Sequence, residues 1–91
     1  MMSNCKAEIL NKICYTELVY GRINKKLGLS LSKEKTEEFI LDIIKETGES
    51  NFQKTGKNIY ISNNSKNVRL TINSYTNRII TADRLNKITT K

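Results

Sequence analysis

The hydrophobic period of this chain changes once, at Gly48. Before that glycine, apolar residues recur at the three- and four-residue spacing of a helix face. Beyond it they alternate with polar residues at the two-residue period of a strand. A chain patterned this way is expected to be α+β, with two to three N-terminal helices packed on one face of a C-terminal three- to four-stranded antiparallel β-meander. Its 91 residues suit a single domain, 1–91, made of a helical half (1–50) and a β half (51–91).

The first helix is expected over Lys6 to Cys14, where Ile9, Leu10 and Ile13 share a face. Thr16 is a candidate cap for a second helix over Glu17 to Leu27, with Gly28 placed for a left-handed stop. Ser32 caps a third helix over Lys33 to Thr47, ended by Gly48. It has an apolar stripe of Phe39, Ile40, Ile43 and Ile44, with Glu34, Glu37 and Glu38 in its early turns. Strands follow over Asn58 to Ser62, Val68 to Asn73 and Arg78 to Asp83, and Phe52 marks a short leading strand before Gly56. The segments Asn63 to Lys66 and Ser74 to Asn77 carry turn residues that tolerate left-handed backbone. Leu29 and Leu31 suit a core role better than a subunit interface, and the oligomeric state is not readable.

Charge divides the chain where the period does. Met1 to Ser50 holds eight basic and eight acidic residues, so it is neutral. Asn51 to Lys91 holds eight basic residues and one acid, Asp83, so the entire net charge of +7 falls in the β half. A solvated surface alone can carry such a run. Two features favour a ligand: the excess is segregated by structural half, and three of the four arginines lie within it. Arginine presents a planar fork suited to phosphate, and a concentrated positive field speeds encounter with anionic partners. The expected partner is a nucleic acid, RNA favoured over DNA, or else an acidic protein surface. A winged-helix DNA reader is disfavoured, because its recognition helix would be the net-acidic third helix.

Several classes drop out. No apolar stretch approaches the ~20 residues of a membrane span, and the N-terminus lacks the pattern of a signal peptide, so a cytoplasmic protein is expected. With two cysteines and no histidine, a structural zinc site lacks ligands, and no cofactor motif is present. Cys5 and Cys14, on one helix, would stand roughly 13 Å apart, beyond disulfide reach. Both are expected to be reduced and packed as small hydrophobes.

Alternation in the strand Val68 to Asn73 places Arg69, Thr71 and Asn73 opposite the apolar Val68, Leu70 and Ile72, with Tyr60 in the same phase one strand away. An open face of this kind can contact phosphate, stack on a base and hydrogen-bond its edge. Ordinary β-propensity explains the threonines and tyrosine equally well. The candidate nucleic-acid contacts are Lys57, Tyr60, Arg69, Thr71, Asn73, Arg78 and Arg84.

The segments Gly56-Lys57-Asn58-Ile59-Tyr60, Leu70-Thr71-Ile72-Asn73-Ser74-Tyr75-Thr76 and Ile79-Ile80-Thr81-Ala82 resemble a bacterial family known as a domain of unknown function, number 3781. A weaker match in the same order runs through Thr16-Glu17-Leu18, Arg22-Ile23 and Leu27-Gly28-Leu29, so the likeness covers roughly residues 13–84. Where that family's pattern has tryptophan before tyrosine this chain has Ile59, and where a histidine often follows the last segment it has Asp83. The resemblance implies the fold and the sheet residues and assigns no activity. Helices followed by a sheet also look like small metal-independent ribonuclease toxins of the RelE and colicin type, an analogy of fold alone.

Three functions remain in view. The first is RNA binding on the open sheet face. The second adds metal-independent RNA cleavage, in which Arg69 and Arg78 would stabilise charge and Lys57 or Asp83 would move protons, without the histidine that usually titrates near neutrality. The third is a non-enzymatic protein-binding inhibitor or interaction module from a phage or mobile element, such as an anti-defence protein. It would cover an acidic patch or add a strand to a partner.

Overall fold

The structure is a computed structural model that describes residues 5–85, so Lys87 and Lys91 of the basic half lie outside the described residues. Three helices precede four strands: α1 (Cys5–Lys12), α2 (Val19–Leu27), α3 (Lys33–Glu46), then β1 (Phe52–Thr55), β2 (Asn58–Asn63), β3 (Val68–Asn73) and β4 (Ile79–Arg84). A single 3-10 turn, Glu49–Asn51, joins α3 to β1. The strands form one antiparallel sheet in the order β1-β2-β3-β4, the expected meander.

Helix boundaries follow local chemistry. Ser32 has extended backbone, and its hydroxyl accepts from the Lys35 N–H at 3.2 Å, which caps α3. At the other end the helix stops at Glu46. Thr47 turns extended and donates its hydroxyl to the Ile43 carbonyl at 2.6 Å, so threonine ends the helix where glycine was expected to do so. The Lys6 ammonium donates to the carbonyls of Lys45 and Thr47 at 2.7 and 3.0 Å, a cation at the negative end of the helix. Gly28 closes α2 at φ 70°, a left-handed position that strains any residue with a Cβ.

Two further helix boundaries differ from the sequence reading. Thr16 does not cap α2: the flanking residue is Leu18, in helical conformation with no side-chain cap, and Thr16 contributes its carbonyl to the Val19 N–H at 3.2 Å. Helix α1 ends two residues early, because Cys14 leaves it to bridge Arg78. The Cys14 N–H donates to the Asn77 carbonyl at 2.8 Å, and the Ile79 N–H donates to the Cys14 carbonyl at 3.0 Å. Cys14 is accordingly an exposed free thiol, not a packed hydrophobe, while the side chain of Cys5 is outside the described set.

Both β-turns that flank β3 follow one recipe. Asn63 and Asn73 each turn a side-chain oxygen onto backbone N–H groups ahead, Lys66 for the first and Tyr75 and Thr76 for the second. Four residues later Asn67 and Asn77 adopt left-handed backbone, φ 58° and 59°.

The core lies between the helices and one face of the sheet. Ile9, Val19, Ile23, Leu27, Ile40, Ile43 and Ile44 meet Ile59, Ile61, Val68, Leu70, Ile72, Ile79 and Ala82, all buried, with Leu29 packed at its margin. The alternation anticipated for β2 and β3 is what delivers their residues to this layer. β4 departs from strict alternation: Thr71 pairs with Thr81 and Ile72 with Ile79, so Ile80 is an extra residue, a β-bulge.

The two sheet edges are treated differently. α2 runs beside β4 in the same direction, tied to it at three points. The Arg22 guanidinium donates to the Ile80 carbonyl at 3.3 Å, Lys26 pairs with Asp83 at 2.9 Å, and the Arg84 guanidinium donates to the Leu27 carbonyl at 2.8 Å. At the opposite edge Gln53, Lys54 and Thr55 of β1 are exposed. A strand edge left bare invites pairing, and a lysine on it discourages that.

Candidate nucleic-acid interface

Residues directly opposite one another in a sheet share a face, so the pairing register assigns each side chain. Away from the helices lie three polar rows: Thr55, Asn58 and Asn73; Gln53, Tyr60, Thr71 and Thr81; Ser62, Arg69 and Asp83. Arg69, Thr71, Asn73 and Tyr60 therefore share the open face, as anticipated. The Arg69 guanidinium sits over the Tyr60 ring at 5.5 Å from its centroid, a cation–π contact that keeps both groups at the surface. Asp83 is the direct neighbour of Arg69 across β3 and β4, but it pairs through one carboxylate oxygen with Lys26. Among the described residues, Lys54, Lys57, Arg69 and Arg78 have no carboxylate partner.

Two members of that face are less available than their position suggests. Thr71 is only 7% exposed, between Tyr60 and Thr81 in its row. The side-chain oxygen of Asn73 is committed to the β3–β4 turn.

The remaining candidates lie elsewhere. Lys57 is in the β1–β2 turn, off the pairing ladder, where its carbonyl accepts from the Ser74 N–H and hydroxyl at 2.8 and 3.0 Å. Arg78 is exposed just ahead of β4, its carbonyl accepting from the Asn73 N–H at 2.9 Å. These two therefore share one end of the sheet with Tyr75, which is 75% exposed on the adjoining turn. Arg84 pairs with the buried Val68, which puts it on the helix side. Its guanidinium donates to the carbonyls of Leu27 and Lys66, so it ties α2 and the β2–β3 turn to β4 and does not join the open face.

Arg69 and Asn73, the residue beside Arg78 at the turn end, are four residues apart along β3, roughly 14 Å at strand spacing. The catalytic candidates divide accordingly, with Arg69 and Asp83 at one position and Lys57 and Arg78 at another. Such an arrangement can hold an extended polyanion at several points and does not converge on one reacting phosphate.

Sequence reasoning misses Tyr75, which lies among turn residues, and the cations of α2. Arg22, Lys25 and Lys26 lie in a nine-residue helix with no acid, a signal hidden by summing that helix with its acidic neighbour. Between α2 and α3 the Tyr20 hydroxyl donates to Glu37 at 2.5 Å, which pushes the Tyr20 phenol up to about 12. Burial, with Glu37 and Tyr20 adding to it, pushes Tyr15 up as well. Its hydroxyl is buried without a partner among the described residues, and its ring stacks on Tyr20 at 5.6 Å. No group of three or more potential metal ligands is clustered among the described residues, and no helix there is long and apolar enough to cross a membrane.

Compared with known proteins, the chain matches the model of a family described as protein of unknown function, DUF3781, over residues 7–83. No curated protein and no solved structure matches it, so the likeness to ribonuclease toxins finds no support there.

Proposed function

The chain belongs to the DUF3781 family, and we propose that it is a binding protein for single-stranded RNA that uses the open face of its sheet. The observation that carries this reading is the Arg69–Tyr60 pair. A guanidinium without a carboxylate partner lies exposed over a half-buried aromatic ring, in a polar sheet face that no helix covers. That pair offers a stacking surface for a base beside a fork for its phosphate, the two contacts on which sequence-tolerant single-strand binding is built. Tyr75, Lys57 and Arg78 extend the surface toward the turn end. The spread of cations favours binding over cleavage.

The test is fluorescence anisotropy of a labelled single-stranded RNA at about 50 mM salt, where phosphate contacts are strongest. Tyr60→Ala is expected to weaken binding by about 1–3 kcal/mol irrespective of base sequence. Arg69→Ala should also flatten the salt dependence by about 0.7 log–log units, the contribution of one phosphate on a single strand. If the wild-type protein leaves the RNA unbound at ~50 mM salt, the proposal is wrong.

A second reading has its own observation, the bare β1 edge, which offers backbone groups to a partner's strand. Capture of one stoichiometric protein, unaffected by nuclease and lost when Lys54, whose backbone faces the bare edge, is replaced by proline, would favour that inhibitor-like role.

A further inference from the structure

The helical half is neutral as a sum, but its charge is sorted by helix. α3 carries Glu34, Glu37, Glu38, Asp42 and Glu46 against three lysines, whereas α2 carries Arg22, Lys25 and Lys26 and no acid. The contacts of α2 with β4 decide where that positive face lies. Asp83 shares the open-face row with Arg69, and Lys26 reaches it at 2.9 Å, so the outer side of α2 curves onto the rim of the open face. Tyr60, Arg69, Asp83 and Lys26 are successive neighbours, and the rest of α2 continues outward from there.

Gly21, Arg22, Lys25 and Lys26 line an open hollow of about 520 Å³ on this side. Their i, i+1, i+4, i+5 spacing gathers them on one helix face. Lys25 has no carboxylate partner among the described residues, and Arg22 spends a single nitrogen on the Ile80 carbonyl. Gly21 is exposed, its backbone is not left-handed, and a Cβ built on it would meet nothing within 4 Å. Neither a turn nor a close approach within the chain therefore requires glycine there, although glycine weakens a helix interior. What glycine does is leave the floor of a cationic hollow without a side chain.

We infer that the hollow on α2 seats a phosphate of the RNA backbone over Gly21, between Arg22 and Lys25, on the same strand whose bases stack on Tyr60. This rests on the RNA-binding reading and adds to it a phosphate track that runs round the β4 edge.

A labelled single-stranded oligouridylate, titrated by anisotropy across 50–200 mM salt, tests it alongside thermal melts of each variant. Gly21→Glu is expected to raise the melting temperature, through better helix propensity, and to weaken binding at least tenfold by placing a carboxylate in the hollow. Lys25→Ala, at an exposed position, should leave the melt unchanged and reduce the salt slope by about 0.7. Gly21→Ala should stabilise the helix and keep the affinity within twofold. A loss as large as that of Gly21→Glu would mean helix stiffness governs binding, and would overturn the inference. Wild-type affinity in both Gly21→Glu and Lys25→Ala, with Arg69→Ala still impaired, would overturn the α2 track and leave the sheet reading standing. An RNA that the wild-type chain does not bind at ~50 mM salt removes both.

Discussion

α2 and α3 lie in the same layer, bury isoleucines in the same core and differ in nearly everything they show to solvent. α3 is the longer helix, capped by Ser32 at its start and held by Lys6 at its end, with acids along its outer side. α2 is short, has no side-chain cap at its start, and presents cations around an open glycine. The difference teaches that charge in this molecule follows position in the fold, not position in the chain. The helix that runs beside β4 carries the positive sign of the β half, and α3 carries the opposite one.

The comparison can be broken from the inside first. Ile23 of α2 and Ile43 of α3 are both fully buried, so Ile23→Ala and Ile43→Ala should each cost about 2–5 kcal/mol in chemical denaturation. A much smaller loss for Ile23 would mean α2 is an appendage, not a member of the core. Next comes the cap: Ser32→Ala should remove about 1 kcal/mol, and Leu18→Ala, at an exposed and uncapped start, close to nothing. Gly28→Ala should cost about 1 kcal/mol, because alanine is strained in left-handed backbone.

The smallest expected effect is a pH dependence where the two helices meet. The folded chain raises the Tyr20 phenol above its ordinary value near 10, to about 12. Folding thus favours the protonated form, and this contribution is complete below pH ~10 and is lost as the pH rises toward about 12. Melting temperature should fall over that window. Tyr20→Phe, which deletes the hydrogen bond to Glu37, should flatten the fall. An unchanged profile would place the alkaline sensitivity elsewhere.

Most of the architecture was legible because it depends on local pattern. The stripe of α3, the alternation of β2 and β3 and the left-handed stop at Gly28 are each written within a few residues. The leading strand at Phe52 was legible too, with Gly56 turning it into β2 at φ 62°. What escaped depends on contacts between distant segments. The end of α1 is set by Arg78, some sixty residues on, and the extra residue at Ile80 is visible only once β3 and β4 are paired. The site was legible to a similar degree. Alternation alone put Arg69 and Tyr60 on one face, but the partners of Asp83 and Arg84 lie on α2 and the β2–β3 turn, and no period in the strand sequence announces them.

The bridge between Cys14 and Arg78 bears on how the molecule is made. Consecutive hairpins such as β1–β2 and β2–β3 can zip as soon as each leaves the ribosome, since their partners are already out. The early helices find α3 soon after they are made, but the ties between α2 and β4 join residues nearly sixty positions apart. α2 is synthesised long before β4, and the part of its apolar side that faces that strand stays uncovered until β4 is made. Interrupted translation would therefore release a sticky, half-built product, so a chain truncated ahead of Ile79 is expected to aggregate or be degraded.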